Sequence, residues 1–100
     1  MTGWLQCEVL VTHDAGLHAR PSVRLTKLAK GFAGAIEISG TAQGPWVDAK
    51  SIVKVMGLKV RQGAMLHVRA KGDDAEAALA AVTGLVQRNF DEDLAHAASG

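Results

Sequence analysis

The chain has 100 residues, 48% of them hydrophobic, and a formal net charge of +1 at pH 7. This length and composition predict one globular domain with its own core and exclude a second domain. The apolar runs are short and interrupted by charges, and no secretory signal is recognisable, so we expect a cytoplasmic protein without membrane insertion. Cys7 is the one cysteine, which excludes an intramolecular disulfide and a cysteine-based metal cluster. Its strand position predicts a buried small hydrophobe.

The charges are unevenly distributed along the chain. Residues 1–72 contain ten basic and four acidic residues, whereas residues 73–100 contain one basic and six acidic residues. A basic surface would attract acidic partners or phosphate groups. Nucleic acid is not expected as a partner, because the aromatic residues that could stack on bases are scattered along the chain: Trp4, Phe32, Trp46 and Phe90.

The first third of the chain predicts a strand, a loop and a helix. Leu5 to Val11 reads as a strand, and Asp14 to Gly16 as a loop. From Ala19 to Lys30 the apolar repeat becomes helical, and Gly31 is a plausible stop. One face of this helix is apolar, with Pro21, Leu25, Leu28 and Ala29, and the other is basic, with Arg20, Arg24, Lys27 and Lys30.

The middle of the chain predicts a hairpin, a short helix and a last strand. Ala35 to Ser39 is a strand, Gly40 to Pro45 is a turn, and Trp46 to Asp48 returns as the hairpin partner. Ser51 to Leu58 has helical spacing, and Gly63 to Lys71 alternates as a strand. The inward face of that last strand holds Leu66, Val68 and Ala70, and the outward face holds Met65, His67 and Arg69.

A final amphipathic helix follows Asp73, whose spacing to Glu76 resembles a capping box. Its apolar positions are Ala75, Ala78, Leu79, Val82, Val86 and Phe90. We expect a domain of residues 1–90 and a flexible tail of residues 91–100. The order βαββαβα predicts an α+β open-faced β-sandwich, in which helices cover one face of a mostly antiparallel sheet. The other face carries polar residues, namely Gln6, Glu8, Glu37, His67 and Arg69.

The segment Gly16-Leu17-His18-Ala19-Arg20-Pro21 places a histidine where a loop ends and a helix begins. The unpaired N–H groups of the first helical turn, here those of Ala19 and Arg20, form an anion site with the positive end of the helix dipole. That environment and the arginine disfavour imidazolium and keep His18 neutral, as a phosphoryl acceptor requires. A lone histidine there would more often be a capping or loop residue, but the whole hexapeptide favours phosphoryl chemistry.

Other polar residues give weaker signals. His13, His67 and His96 lack matched spacing with carboxylates or with the cysteine, so no metal site and no cofactor are expected. Ser51, at the start of the short helix, is on physical grounds an N-cap, although the same position also favours a phosphate.

Together these features resemble HPr, the histidine-containing phosphocarrier family of the bacterial sugar phosphotransferase system. The hexapeptide is similar to the family's phosphorylation site, Lys50-Ser51-Ile52 is similar to its regulatory serine site, and the element order matches over about residues 4 to 90. The resemblance implies a four-stranded antiparallel sheet with three helices on one side. It also implies that enzyme I, charged by phosphoenolpyruvate, transfers a phosphoryl group to Nδ1 of His18, with Arg20 stabilising the phosphate, and that an enzyme IIA domain then receives the group.

The resemblance further implies how partners bind. A serine kinase/phosphorylase would act on Ser51. Partner-docking residues would lie on both helices, namely Arg24, Lys27, Ile52, Val53, Lys54 and Met56. The alternative for Arg24 and Lys27 is that they only keep the helix surface soluble. The alternative for Ile52 and Met56 is a place in the core, which leaves Val53 as the best candidate for an exposed contact. We expect a monomer that acts as a carrier rather than as a free-standing enzyme.

Two points remain open from the sequence. The chain has Leu58-Lys59 where the family usually has Leu-Gly, so a turn that needs a positive φ would strain Lys59 by about 1 kcal/mol or somewhat more. The same residues also fit a second function: a regulatory signalling module of an incomplete or nitrogen-related relay, read out through phosphorylation of His18 and Ser51 without sugar transport.

Overall fold

The computed structural model describes residues 3–13 and 19–91. The strands are β1 (Leu5–Leu10), β2 (Ala35–Ser39), β3 (Val47–Asp48) and β4 (Met65–Lys71), and the α-helices are α1 (Ala19–Lys30), α2 (Ile52–Gly57) and α3 (Ala75–Gln87). A short 3₁₀ turn, Asn89–Asp91, follows α3. The predicted loop of residues 14–16, His18, and all of the expected tail except its first residue lie outside the described residues.

The four strands form one sheet in the order β1-β4-β2-β3, and all neighbouring strands are antiparallel. Strand β4 lies inside the sheet, so that Val68 is opposite Cys7 on one side and Ile38 on the other. Helix α3 packs against β1, β4 and β2, and α1 packs against both α2 and α3. The predicted α+β open-faced sandwich, with four antiparallel strands and three helices, is confirmed.

The core lies between the inner face of the sheet and the apolar faces of the helices. Strand β4 alternates as predicted, with Leu66, Val68 and Ala70 buried. Helix α1 buries Leu25 and Ala29. The largest fully buried side chains are Phe90, Leu25, Ile36, Ile38 and Leu66. None of the helices in the described ranges is long and apolar enough to cross a membrane.

Cys7 packs against this core but is only half-buried, so the expectation of a buried residue holds in part. Burial raises the pKa of its thiol, and the neighbouring Glu8 carboxylate raises it further. Both causes disfavour the thiolate, so Cys7 is a poor nucleophile at neutral pH.

The outer face of the sheet holds a cluster centred on Arg69. Its guanidinium lies 4.3 Å from the ring centre of Trp4 and 4.4 Å from that of Trp46, and its Nε donates to the Glu37 carboxylate at 2.8 Å. The two tryptophans, which are scattered in the sequence, are therefore brought together by folding. Cation–π contacts of this kind stabilise by about 0.5 to 2 kcal/mol each.

Two predictions at the ends of α3 are wrong. The N-cap is Asp74, not Asp73, and its side chain makes no capping hydrogen bond. Instead, Asp74 Oδ2 accepts the N–H of Ala33 at 3.0 Å, which ties the start of α3 to the turn after α1. Phe90 is buried as expected but lies outside the helix, because the backbone turns left-handed at Asn89 and Phe90, with φ of 53° and 58°.

Lys59 adopts a left-handed conformation, with φ of 54°. It follows Leu58, the C-cap of α2, and its N–H donates to the carbonyl of Met56 at 3.2 Å. A side chain at positive φ brings Cβ close to the following carbonyl oxygen, so glycine is favoured at such a helix end. The turn after α2 therefore has a positive φ at Lys59, which is the case in which the sequence analysis expects strain at this residue.

We predict that Lys59→Gly raises the free energy of unfolding by about 0.5 to 1 kcal/mol, because relief of the left-handed strain exceeds the extra chain entropy of glycine. Lys59→Ala is the matched control, since it removes the ammonium and keeps the strain. Urea denaturation of the three proteins measures the effect. Equal stabilities for Lys59→Gly and Lys59→Ala would contradict the argument.

Candidate functional site

Helix α1 begins at Ala19, directly after the histidine of the hexapeptide. Ala19 and Arg20 are exposed, whereas Pro21 is buried and anchors the first turn to the core. The first four N–H groups of a helix have no partner within it. Pro21 has no N–H group, and at this position its absence costs the helix no hydrogen bond. The first turn contains no acidic residue, so its N–H groups and the Arg20 guanidinium present positive charge to an anion.

The exposed side of α1 borders an open depression of about 470 Å³. Its lining residues are Ala19, Arg20, Val23, Arg24 and Lys27. Positions three and four apart on a helix lie on one face, which explains why three cations of the predicted basic stripe meet here. Across the described ranges, no carboxylate forms an ion pair with any of these three cations. This surface, the α1 basic face, is therefore attractive to a phosphate or an acidic partner.

Val23 is a residue of this face that the sequence analysis missed. It is 45% exposed although it is apolar, and it lies between the cations that line the depression. The signal was present in the sequence, because Val23 is three residues after Arg20 and four before Lys27. An apolar residue on a basic helix face is typical of a surface that another protein covers.

Ser51 is the N-cap of α2, as predicted on physical grounds. Its backbone is extended, with φ of −107° and ψ of 111°, and its side-chain oxygen accepts the N–H of Lys54 at 3.5 Å. Just before it, the ammonium of Lys50 donates to the carbonyls of Phe32 and Gly34 at 2.7 and 2.9 Å. The start of α2 is thereby fixed to the turn that follows α1.

Helix α2 divides its apolar residues between the core and the surface. Val55 is fully buried, Ile52 is half-buried, and Val53 is 77% exposed. Met56 is 39% exposed, so the alternative that placed it in the core is wrong. Only Val55 points fully into the core, since a helix of six residues has a single turn to bury.

The structure groups the predicted site residues on two helices that pack against each other. Arg20, Arg24 and Lys27 share the depression on α1. The predicted residues of α2 do not line that depression, but Val53, Lys54 and Met56 are exposed on the adjoining helix. His18 lies outside the described residues, so its position relative to the α1 basic face stays a prediction.

Comparison with known proteins gives a consistent result. A family profile described as "PTS HPr component phosphorylation site" matches residues 5–88. Phosphocarrier protein HPr of Xylella fastidiosa is 37% identical over 89 residues, covering 89% of this chain and 98% of that protein. Phosphocarrier protein NPr of Escherichia coli K12 is 35% identical over 85 residues, covering 85% and 93%. The crystal structure of HPr-C-His from Thermoanaerobacter tengcongensis has a TM-score of 0.81 at 33% identity, covering 88% and 97%.

The fold, the family profile and the relatives together define a small α+β phosphocarrier of the phosphotransferase system. The chain belongs to the HPr family.

We predict that Arg20→Ala slows phosphoryl transfer to this chain by about ten- to a hundredfold, because it removes one charge-assisted contact. The fold should be unchanged, since the side chain is exposed. Lys30→Ala is the matched control, because it removes an exposed cation at the other end of α1. The measurement is the rate of phosphoryl transfer to this chain and from it. Equal rates for Arg20→Ala and Lys30→Ala would show that Arg20 does not belong to the site.

Proposed function

We propose that this chain works in the cytoplasm and accepts a phosphoryl group on Nδ1 of His18 from phosphorylated enzyme I, then passes it to enzyme IIA domains in sugar uptake. The observation that carries the proposal is the start of α1, where exposed Arg20 and first-turn N–H groups, which have no partner within the helix, directly follow His18 in the chain. In the transfer, Nδ1 attacks phosphorus and the bond from phosphorus to enzyme I breaks. The electron pair of that bond returns to enzyme I.

Phosphoryl transfer requires few catalytic groups from this chain. In-line phosphoryl transfer depends mainly on positioning and on neutralisation of charge. The N–H groups of Ala19 and Arg20 and the guanidinium would stabilise the phosphoryl oxygens, while the same positive field keeps the imidazole neutral before transfer. The product stays reactive, because these contacts are few and exposed. According to this proposal, the chain is a carrier and not a free-standing enzyme.

Partner docking is proposed for the surface formed by α1 and α2. Arg24 and Lys27 on α1 and Lys54 on α2 supply exposed cations, and Val53 and Met56 supply exposed apolar area beside half-buried Ile52. An apolar centre with a charged rim fits a transient complex, and the positive charge would guide acidic partners to it. Enzyme I and enzyme IIA domains would use this surface in turn, each binding a monomer of this chain.

Regulation is proposed at Ser51, through a serine kinase/phosphorylase. A phosphate there would add about 1.5 to 2 negative charges at the start of α2. These charges would weaken the positive field of a docking surface that includes Lys54 and the adjoining α1. The observed N-cap supports this proposal only in part, because capping alone also explains a serine at this position.

A second candidate function is a regulatory, nitrogen-related relay without sugar transport. The observation in its favour is the similarity to NPr, at an identity close to that of the HPr relative. Both functions use the same residues, so they differ in the receiving partner. Transfer from the phosphorylated chain to sugar-type and nitrogen-type enzyme IIA domains of the same genome, compared side by side, distinguishes them.

We predict that His18→Ala abolishes phosphorylation by enzyme I and phosphoenolpyruvate, because neither His13 nor His67, the two histidines in the described ranges, lies at a helix start beside an arginine. The wild-type product should be labile in acid and stable in alkali, as a phosphohistidine is. Intact-protein mass spectrometry measures the added phosphoryl group. His67→Ala is the matched control and should still be phosphorylated, whereas a phosphorylated His18→Ala protein would show that the site is wrong.

We also predict that Ser51→Asp raises the KM of enzyme I for this chain more than Ser51→Ala does. The carboxylate cancels part of the positive field and places a poorly paired charge at the interface, whereas alanine loses only a cap worth about 1 kcal/mol of stability. Steady-state kinetics at low and moderate salt measure both effects. Equal KM values for the two variants would mean that Ser51 is a helix cap and not a switch.

A further inference from the structure

Several hydrogen bonds hold the chain segment that follows β1, residues 11–13. Val11 is fully buried, its N–H donates to the carbonyl of Ala64 at 2.9 Å, and its own carbonyl accepts the N–H of Gly63 at 2.8 Å. One residue further, the Thr12 carbonyl accepts a hydrogen bond from Nε2 of Gln62 at 3.1 Å. The backbone is thus fixed as far as Thr12 by the residues that precede β4.

Side chains of this segment contact the turn after α3. Thr12 Oγ1 donates to Asn89 Oδ1 at 2.6 Å, across 77 positions of sequence. The ring of His13 meets that of Phe90 edge-on, with centres 5.8 Å apart and an interplanar angle of 76°. We name Thr12 and Asn89, joined by this hydrogen bond, the loop clamp.

The turn that supplies the clamp has an unusual backbone. Asn89 and Phe90 are consecutive residues at positive φ, a conformation that persists only where the surroundings fix it. Phe90 is fully buried and anchors the turn in the core. Asparagine is among the few residues with a side chain that tolerate a left-handed backbone, so this position can combine the turn with a polar side chain.

The clamp lies just before residues 14–18, the segment that contains the proposed phosphoryl acceptor His18. Residues 14–18 join His13 to Ala19, and the far end is anchored by α1 through buried Pro21. A loop with two fixed ends has fewer arrangements than a loop with one. Small errors in the position of a reacting group lower the rate of transfer strongly.

We propose that Asn89 is a positioning residue for phosphoryl transfer, which acts through Thr12 on the loop that carries His18. The inference rests on the proposed function of His18 and adds to it a contact at the opposite end of the chain. Neither clamp residue belongs to α1 or α2, which hold the proposed docking residues. Loss of the clamp should therefore lower kcat and leave KM unchanged.

The first test is steady-state kinetics of enzyme I with wild type, Asn89→Gly, Thr12→Val and the double variant. Glycine removes the side chain and keeps the left-handed backbone, and valine removes the hydroxyl and keeps the shape. Each single change should lower kcat about two- to fivefold, the value of one exposed hydrogen bond. The double variant should be no worse than Asn89→Gly alone, and Thr12→Ser should keep the wild-type kcat, because serine retains the donor.

Thr41→Val is the matched control, since it removes a hydrogen bond of the same length, from Thr41 Oγ1 to the carbonyl of Gly44, in the β2–β3 turn. It should leave kcat unchanged. If Asn89→Gly and Thr12→Val lower kcat no more than Thr41→Val, or raise KM instead, the positioning role is wrong.

The second test reads the imidazole directly and does not require phosphoryl transfer. NMR titration of His18 in the unphosphorylated proteins should show a changed midpoint or line width in Asn89→Gly and Thr12→Val and none in Thr41→Val. If the wild type accepts no phosphoryl group while these NMR changes occur, the proposed function is wrong, but the inference that Asn89 and Thr12 position His18 is supported. Unchanged His18 signals in both clamp variants would overturn the clamp.

Discussion

A sheet with one apolar face must bury that face, and in this protein α1 meets that need together with α2 and α3. Leu25 and Ala29 commit one side of α1 to the core, and Pro21 fixes its first turn there. Because that side is buried, the opposite side of the helix, with Arg20, Arg24 and Lys27, faces solvent. The exposed start of α1 and its basic face are therefore consequences of the same packing.

The short helix α2 is held in place by contacts outside its own turn. Val55 is its one fully buried residue, Lys50 binds the turn after α1, and left-handed Lys59 ends the helix. This arrangement keeps Val53 and Lys54 exposed next to α1. A six-residue helix is not stable alone, so its orientation depends on these anchors.

The contacts that link distant parts of the sequence have a common character. Arg69 between two tryptophans, Asp74 on the turn after α1, and Asn89 on Thr12 are all polar contacts at the rim of the core or on the open face. Each needs two chain segments in register before it can form. Apolar burial sets that register, and the polar contacts then fix details such as the path of the chain after β1.

The sequence by itself determined the order of elements, the inward residues of β4, the two faces of α1 and the serine cap of α2, because these depend on local periodicity and capping. It also pointed to the strained turn at Lys59. Only the tertiary structure decided that Asp74 serves the turn after α1 instead of a capping box, that Phe90 leaves the helix, that Met56 is exposed, and that Trp4 and Trp46 both contact Arg69. These outcomes depend on contacts between residues far apart in the chain, and periodicity carries no information about such contacts.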